Sequence, residues 1–341
     1  MEVQSKSANS YRKVFITGGT GFLGGYIIKE LIDKGYIIRA IRRSNKTPFF
    51  IPASFFDQVD WIQGDILDIK SLEEGMEGAD AVIHAAAKVS FLPRERKEMY
   101  KINIEGTANV VNVAMEKKIK RLVHVSSVAA LGRSENSDSV NEGKQWEESN
   151  THTHYAMSKY RAEMEVWRAI AEGLNAVIVN PSTILGYGDW NTTSCAIFKS
   201  TYNEFPWYTN GVNGFVDVDD IARLIVLLLQ SDIIAERFLI SGENWSFRQL
   251  LDSIADGFAK KRPHREANAF LGGIAWRLEK LKSVITGTEP LLTKESAKIA
   301  QSKTYFDNHK ITQFFPDFKF TPLDQTIQQS CKAYLQHLNG R

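Results

Sequence analysis

A glycine-rich segment near the start of the chain constrains the fold more than any other feature. It joins the apolar run Lys13–Thr17, a predicted strand, to the amphipathic stretch Gly21–Lys34, a predicted helix. Gly18 permits a tight turn, Gly21 lets backbone N–H groups approach a pyrophosphate, and Gly24 lets the helix pack closely on the sheet. A flexible turn is the alternative, but the position between strand and helix predicts a dinucleotide site. The residues predicted to contact the dinucleotide are Gly18, Thr20, Gly21, Phe22, Leu23 and Gly24.

The first half of the chain continues this alternation of strands and helices. Parallel strands need crossover connections, so the pattern predicts an α/β fold with a Rossmann-type, doubly wound parallel sheet. Further strands are predicted at Tyr36–Ile41, Val59–Ile62, Ala81–His84, Arg121–Ser126 and Ala176–Asn180, and helices at Glu95–Glu116 and Tyr155–Ala171.

The pattern changes after Pro181 and becomes mostly helical from Ser246 onward. A chain of 341 residues is long enough for one large α/β domain with an appended lobe. We predict a Rossmann dinucleotide-binding domain over residues 1–180. A smaller, mostly helical substrate-binding lobe is predicted over residues 181–341, with segments near residues 211–241 returning to the first domain.

The end of the second strand indicates which dinucleotide is bound. A carboxylate there would bind the ribose 2′-hydroxyl of NAD, but this chain has Arg39, Arg42 and Arg43 and no carboxylate. Guanidinium groups suit a 2′-phosphate, so Arg42 and Arg43 favour NADP over NAD. The alternative is that these arginines form a solvated edge, and NAD remains possible.

Two further strand ends are candidate cofactor contacts. Asp65 can accept a hydrogen bond from the adenine amino group, with Ile66 beside the ring, although a simple turn explains the pair equally well. Small side chains after the fourth strand would leave room for the cofactor backbone, or they serve packing alone. These small residues are Ala85, Ala86 and Ala87.

A phenol and an ammonium lie four residues apart in the Tyr155 helix. Tyr155 and Lys159 therefore share one helix face, and the ammonium is expected to lower the pKa of the phenol toward working pH. Such a pair can exchange protons with a substrate, and Lys159 can also hold the nicotinamide ribose. Ser127, which follows a strand, is the predicted donor to a substrate carbonyl, with Ser126 as its neighbour.

Taken together, these motifs resemble the extended short-chain dehydrogenase/reductase family, within the NAD-dependent epimerase/dehydratase superfamily. The resemblance covers roughly residues 12–240. It implies that Ser127, Tyr155 and Lys159 are catalytic and that Asn103 supports the Lys159 proton relay. It also places Pro181 and Ser182 beside the nicotinamide. The matching residues, besides the glycine-rich segment, are Asp65-Ile66, His84-Ala85-Ala86-Ala87, Asn103, Ser126-Ser127, Tyr155-Ala156-Met157-Ser158-Lys159 and Asn180-Pro181-Ser182.

Within that family the chain is most similar to the dihydroflavonol reductase and hydroxysteroid dehydrogenase branch. Nucleotide-sugar epimerases share the core but usually carry an acidic residue where this chain has Arg42. Tyr187 also departs from the family, in which proline is commoner at that position.

Composition excludes several other classes of protein. A formal net charge of +2 implies no strong attraction to nucleic acid or membrane, and no apolar leader or run of about 18 apolar residues predicts a signal peptide or membrane span. Two distant cysteines favour a reducing cytoplasm. His152 and His154 lack a third ligand at suitable spacing, so no metal site is predicted. The apolar stripe in Ala267–Ile285 could touch a membrane, but packing on its own lobe is favoured.

The leading prediction is an NADPH-dependent reductase, or a dehydrogenase, acting on a small and fairly apolar carbonyl or alcohol. The alternatives are a nucleotide-sugar epimerase or dehydratase with tightly bound NAD, and a non-catalytic dinucleotide-binding regulator. The helices Glu95–Glu116 and Tyr155–Ala171 could pair in a homodimer. Aromatic residues of the substrate lobe suit a planar or apolar substrate, namely Phe91, Trp190, Phe198, Phe205, Trp207 and Tyr208.

Overall fold

The computed structural model describes residues 11–132, 139–147, 152–267 and 300–340, and its centre is a seven-stranded sheet. Every neighbouring pair of strands in this sheet is parallel. The strands, in chain order, are β1 (Lys13–Thr17), β2 (Ile37–Arg42), β3 (Val59–Gln63), β4 (Ala81–His84), β5 (Arg121–Val125), β6 (Ala176–Pro181) and β10 (Glu236–Ile240). Their spatial order is β10-β6-β5-β4-β1-β2-β3, which confirms the predicted doubly wound sheet.

Helices cover both faces of the sheet. They are α1 (Phe22–Asp33), α2 (Ala53–Phe56), α3 (Ile69–Met76), α4 (Arg96–Tyr100), α5 (Gly106–Glu116), α6 (His154–Ala171) and α8 (Val218–Gln230). Because side chains alternate along a strand, Val14 and Ile16 of β1 pack on the side of α1 and α8, while Phe15 packs on the side of α3, α5 and α6. Strands β4, β5 and β6 are buried throughout, as expected for parallel strands covered on both faces.

A buried arginine of β5 forms hydrogen bonds that join the sheet to the C-terminal end of α8. Arg121, the first residue of β5, is fully buried and donates to the carbonyl of Leu228 at 2.7 Å and to Ser231 Oγ at 3.3 Å. It also donates to the carbonyl of Ile233 and to Asn175 Oδ1. The guanidinium thus satisfies carbonyl groups at the C-terminal end of α8, where a positive charge is favourable.

Most of the remaining described elements form a smaller lobe. Its sheet has the order β11-β9-β7, built from β7 (Thr183–Leu185), β9 (Val212–Asp217) and β11 (Glu243–Ser246). A second, two-stranded sheet pairs β8 (Trp207–Tyr208) with β12 (Arg265–Glu266). The lobe's helices are α7 (Ala196–Tyr202), α9 (Phe247–Gly257) and α11 (Leu323–Asn339), whereas α10 (His309–Phe314) packs on β10 and places Ile311 in the main core. Segment 212–240 is thus divided, since β9 lies in the small sheet whereas α8 packs on α1 and β10 pairs with β6.

The observed elements differ from the predicted ones in one important place. The single helix expected over Glu95–Glu116 is a 3₁₀ turn, then α4, then a π-helical segment over Lys101–Glu105, and then α5. A π-helical segment re-aims the side chains around it and is common at functional sites. The apolar stripe predicted in Ala267–Ile285 lies outside the described residues, apart from Ala267.

Candidate active site

The glycine-rich loop has a backbone that other residues could not adopt. Gly18 has a φ of +77°, and a Cβ on it would lie 2.6 Å from the backbone nitrogen of Ala86. A Cβ on Gly24 would lie 2.0 Å from the carbonyl oxygen of Gly18. Gly21 precedes α1 and has no side chain to cap it, so no side chain competes for the first N–H groups of the helix. This arrangement suits an anion such as a pyrophosphate.

The other predicted loop contacts differ in their surroundings. Thr20 is exposed, whereas the side chain of Leu23 is buried in the main core. The ring of Phe22 packs edge-on against Tyr26 and Phe50. Leu23 can therefore meet a cofactor through its backbone, because its side chain is used in packing.

The end of β4 lies directly against this loop. Ala86 N donates to Thr17 Oγ1 at 3.2 Å, and the close approach of Gly18 brings the β1 and β4 ends together. Ala85 and Ala86 are half-buried and Ala87 is exposed. Both ends belong to the carboxyl edge of the sheet, where open α/β folds bind ligands.

The three arginines near the end of β2 have different surroundings. Arg39 donates to Asp60 at 2.6 Å and to two backbone carbonyls, so its guanidinium is already paired. Arg42 lies 4.9 Å over the ring of Trp61, and its Nε is buried without a hydrogen-bond partner among the described residues. Arg43 is exposed. Arg42 and Arg43 thus have donors that a phosphate could use, whereas those of Arg39 are occupied.

The end of β3 is held by its own side chain. Asp65 Oδ1 accepts from the backbone nitrogen of Leu67 at 2.9 Å, which closes a turn. Ile66 is buried and packs against Gly106 of α5, on which a Cβ would lie 2.5 Å from the Ile66 side chain. One Asp65 oxygen therefore has a structural use.

Tyr155, Lys159 and Ser127 converge at the carboxyl ends of β5 and β6. Thr153 caps α6 by accepting from Ala156 N at 3.0 Å, which places Tyr155 in the first turn of that helix. The hydroxyl of Ser127 accepts from Ala129 N at 3.2 Å and lies close enough to the phenol of Tyr155 to affect its pKa. Lys159 is buried and its Nζ donates to the carbonyl of Val125 at 2.9 Å.

The electrostatics of this group differ from the sequence prediction. Burial raises the pKa of the Tyr155 phenol, and the hydrogen bond with Ser127 opposes that rise. Burial also lowers the pKa of Lys159 to about 8, against the influence of the Glu163 carboxylate. The expected fall in the pKa of Tyr155 is therefore wrong for the protein by itself, because desolvation of the phenolate dominates.

Asn103 lies in the π-helical segment and is buried. Its side chain accepts from Lys88 N at 2.7 Å and donates to the Lys88 carbonyl at 3.0 Å and to Ser158 Oγ at 2.9 Å. Ser158 precedes Lys159, so Asn103 contacts the helix that carries Tyr155 and Lys159. The structure gives it no direct hydrogen bond to Lys159 among the described residues.

Residues at the end of β6, in the loop that follows it and in an earlier loop complete the surroundings. Pro181 and Ser182 are buried, and Ser182 Oγ has no hydrogen-bond partner among the described residues. The ring of Phe91 lies edge-on to Tyr155 with centroids 5.9 Å apart. Tyr187 accepts from the hydroxyl of Tyr26 at 2.7 Å through its carbonyl, which ties its loop to α1.

Most of the predicted aromatic set does not line this site. Trp190 stacks on Tyr334, and Phe198 is fully buried in the core of the small lobe. Trp207 and Tyr208 lie under the guanidinium groups of Arg265 and Arg248, and Phe205 is exposed. Of the six residues, Phe91 is the one whose ring contacts Tyr155.

Two buried residues lie near the site, and only the first of them, Glu163, was missed by sequence reasoning. Glu163 accepts from Ser126 Oγ at 2.8 Å, so the hydroxyl of Ser126 is used inside the protein. His84 bridges Thr17 Oγ1 at 2.7 Å and Thr107 Oγ1 at 2.9 Å. The spacing of Glu163, four residues after Lys159 on one helix, was the available signal for the first.

The sequence predicts neither a metal site nor a membrane span, and the structure bears on both only for the residues that it describes. No cluster of metal-ligating side chains occurs within the described ranges. Likewise, none of the helices described here has the length and apolar character needed to cross a membrane.

Several known proteins are similar to this chain in sequence. The model of the NAD dependent epimerase/dehydratase family matches residues 14–240. A protein of Synechocystis sp. named dihydroflavonol 4-reductase is 30% identical over 306 residues, with 88% of each chain covered. Cinnamoyl-CoA reductase 1 of Petunia hybrida is 30% identical over 240 residues, which cover 66% of this chain and 71% of that protein.

Two solved structures share the fold over almost the whole chain. The crystal structure of gox2253 has a TM-score of 0.79 and 27% identity and covers 95% of this chain and 98% of its own. Bordetella bronchiseptica WbmH in complex with NAD⁺ has a TM-score of 0.74 at 20% identity and covers 96% and 99%.

The fold, the relatives and the family match define an NAD(P)-dependent oxidoreductase of the extended short-chain dehydrogenase/reductase type. The chain belongs to the NAD dependent epimerase/dehydratase family. The family predicted from the motifs is thus confirmed.

Proposed function

We propose that this enzyme reduces the carbonyl of a small, fairly apolar substrate with NADPH, using Tyr155 as the proton donor. The observation that carries the proposal is the position of the Tyr155 phenol beside the Ser127 hydroxyl, at the strand end where Lys159 Nζ donates to the Val125 carbonyl at 2.9 Å. Two O–H groups at one point can both reach a carbonyl oxygen. The ring of Phe91 beside Tyr155 supports an apolar substrate.

Each residue of the group has a distinct part in this reaction. NADPH supplies the hydride when bound. Ser127 donates to the carbonyl oxygen, which gains negative charge in the transition state. Because burial raises its pKa, the Tyr155 phenol holds its proton at neutral pH and can pass it to that oxygen. Lys159, with a pKa of about 8, is mostly protonated at pH 7 and stabilises the phenolate that remains.

The residues present also fit the rest of NADP. The uncapped N-terminus of α1 suits the pyrophosphate, and Thr20 and Gly21 of the loop are exposed, so that a ligand can reach them. The unpartnered Nε of Arg42 and the exposed Arg43 suit the 2′-phosphate.

We expect the double variant Arg42→Ala/Arg43→Ala to lose most of the preference for NADPH. Each lost charge-assisted hydrogen bond typically contributes about 1.5–3 kcal/mol, so NADPH affinity should fall at least about tenfold. NADH binding should change little. Fluorescence titration of both nucleotides measures the change.

Arg39→Ala is the control, because it removes a positive charge from β2 at a guanidinium already paired with Asp60. It should leave the preference for NADPH intact. Equal affinities for NADPH and NADH in the unaltered enzyme, or a nicotinamide that stays bound through turnover, would contradict the proposal.

Lys159→Met should weaken NADPH binding and move the alkaline limb of the pH–rate profile upward. In the unaltered enzyme that limb reports the ammonium of Lys159, whose pKa is about 8. Without Lys159, the next alkaline titration is that of Tyr155, whose pKa burial raises above 10. Dissociation constants for NADPH and pH–rate profiles for reduction of a verified carbonyl test this.

Ser127→Ala is the matched comparison, because it removes a donor to the carbonyl and no charge. Its turnover should fall by about 10²–10³-fold while NADPH affinity and the alkaline limb stay in place. A Lys159→Met profile that matches the unaltered enzyme would remove Lys159 from the mechanism.

A further inference from the structure

A carboxylate that the mechanism above does not use lies at the centre of α6. Glu163 is fully buried, and its Oε2 accepts from Ser126 Oγ at 2.8 Å and from Asn180 Nδ2 at 2.9 Å. Its Oε1 accepts from Arg237 at 3.2 Å and from Trp167 Nε1 at 3.3 Å. A buried carboxylate is costly unless it is well paired, and here each of the two carboxylate oxygens accepts from two donors.

The partners of Glu163 hold the end of β5 in place. Asn180 Nδ2 also donates to the carbonyl of Ser127 at 3.0 Å, so one amide joins the Glu163 carboxylate to the serine that contacts Tyr155. Ser126, the preceding residue, donates to the same carboxylate. The backbone on both sides of the Ser127 side chain is thus fixed from α6 and β6.

Glu163 also faces Lys159 one helical turn earlier. Both buried histidines near the ammonium are neutral, because burial lowers the pKa of His84 to about 3 and that of His124 well below its usual value. Glu163 raises the pKa of Lys159. The guanidinium of Arg237 forms a salt bridge with Glu163 at 3.2 Å. The titratable or charged groups around the Lys159–Glu163 pair are His84 from β4, His124 from β5, Tyr155 from α6 and Arg237 from β10.

We propose that Glu163 is a positioning residue: its carboxylate fixes the strand end that carries Ser127 and serves as the counter-charge of Lys159. The inference rests on the proposed function, because it requires Ser127 and Lys159 to take part in turnover. Glu163 itself acts through those two residues and contacts no substrate.

Glu163→Gln tests the charge, because the amide has nearly the same shape but no negative charge. Without that charge the pKa of Lys159 falls below 8, so the ammonium loses its proton at lower pH. The alkaline limb of the pH–rate profile should therefore move down by about one unit, within the range that one neighbouring opposite charge produces. A residue with a purely structural role would lower the rate at every pH and leave the limb in place.

Glu165→Gln is the matched control, since it removes a carboxylate from the same helix that is partly exposed and paired with Arg168. It should keep both the rate and the alkaline limb of the unaltered enzyme. Glu163→Asp keeps the negative charge but shortens the side chain by one methylene. The alkaline limb of its pH–rate profile should therefore stay in place. Its kcat should fall by up to about 10²-fold, because the groups that the carboxylate positions would shift by about 1 Å.

Ser126→Ala is a second test of the proposal, and it does not depend on whether the Glu163 variants fold. It removes one donor from the carboxylate and no charge, so kcat should fall several-fold with the alkaline limb and NADPH affinity unchanged. An unmoved limb in folded Glu163→Gln would overturn the inference. If that variant does not fold, an unchanged kcat in Ser126→Ala would overturn it.

Tyr155→Phe, assayed alongside, separates the two proposals. If it keeps its activity, the proposed function fails regardless of Glu163. If it is inactive while Glu163→Gln behaves like Glu165→Gln, the proposed function stands and only the inference about Glu163 fails.

Discussion

Tyr155→Phe is expected to lower turnover by roughly 10²–10⁴-fold while leaving the fold and NADPH binding intact. The change removes only the hydroxyl beside Ser127, and the ring keeps its edge-on contact with Phe91. Without that hydroxyl no group at this position passes a proton to the carbonyl oxygen. Single-turnover and steady-state rates with a verified carbonyl substrate, together with a thermal unfolding curve, measure the effect.

Tyr160→Phe is the matched control for that experiment. Tyr160 lies on the same helix and its ring stacks on Trp146 with centroids 4.3 Å apart, a contact that phenylalanine retains. It should therefore keep full activity. Near-normal turnover in Tyr155→Phe would show that another group is the acid.

Gly24→Ala should remove dinucleotide binding and destabilise the enzyme. The new methyl carbon would lie 2.0 Å from the Gly18 carbonyl oxygen, which belongs to backbone and cannot move as a side-chain end does. Overpacking of this kind typically costs about 1–3 kcal/mol, and here it displaces the loop expected to hold the pyrophosphate. Thermal unfolding and NADPH titration measure the two effects separately.

Gly25→Ala isolates the cause, because Gly25 is the next residue of α1. Its new methyl would meet the side chain of Ile51 at 3.2 Å, and a side-chain end can yield. Both substitutions give the same small gain in helix propensity, about 0.5–1 kcal/mol. If the two variants bind NADPH equally well, the close packing of Gly24 on Gly18 is not what shapes the cofactor loop.

Local pattern was sufficient to predict most of the fold. The strand predicted over Lys13–Thr17 has those bounds, and the helix predicted from Tyr155 begins one residue earlier. Buried parallel strands are apolar runs between helices with one apolar face, and both signals are local. The π-helical break at Lys101–Glu105 was not predicted, because the segment contains no proline or glycine that would mark a change of helix type.

The candidate site was predictable as a set of residues but less so in its properties. Tyr155, Lys159 and Ser127 come together as their motifs indicate, yet the direction of the Tyr155 pKa depends on burial, which spacing does not report. The arginines of β2 illustrate the same limit. The sheet register pairs Arg39 with Asp60 of β3 and Arg42 with Gln63, so only the assembled sheet distinguishes an occupied guanidinium from an available one.

The position of β10 at the edge of the sheet affects how the chain can fold during its synthesis. Strand β6 is complete at Pro181, but its outer neighbour arrives only with Glu236–Ile240, and α8, which covers α1, immediately precedes that strand. A nascent chain synthesised only as far as β6 therefore has an unpaired edge on β6 and an uncovered apolar face on α1. Both features promote aggregation. The sheet can close only after the ribosome has made most of the small lobe's own sheet, so the N-terminal region depends on late-made segments for protection.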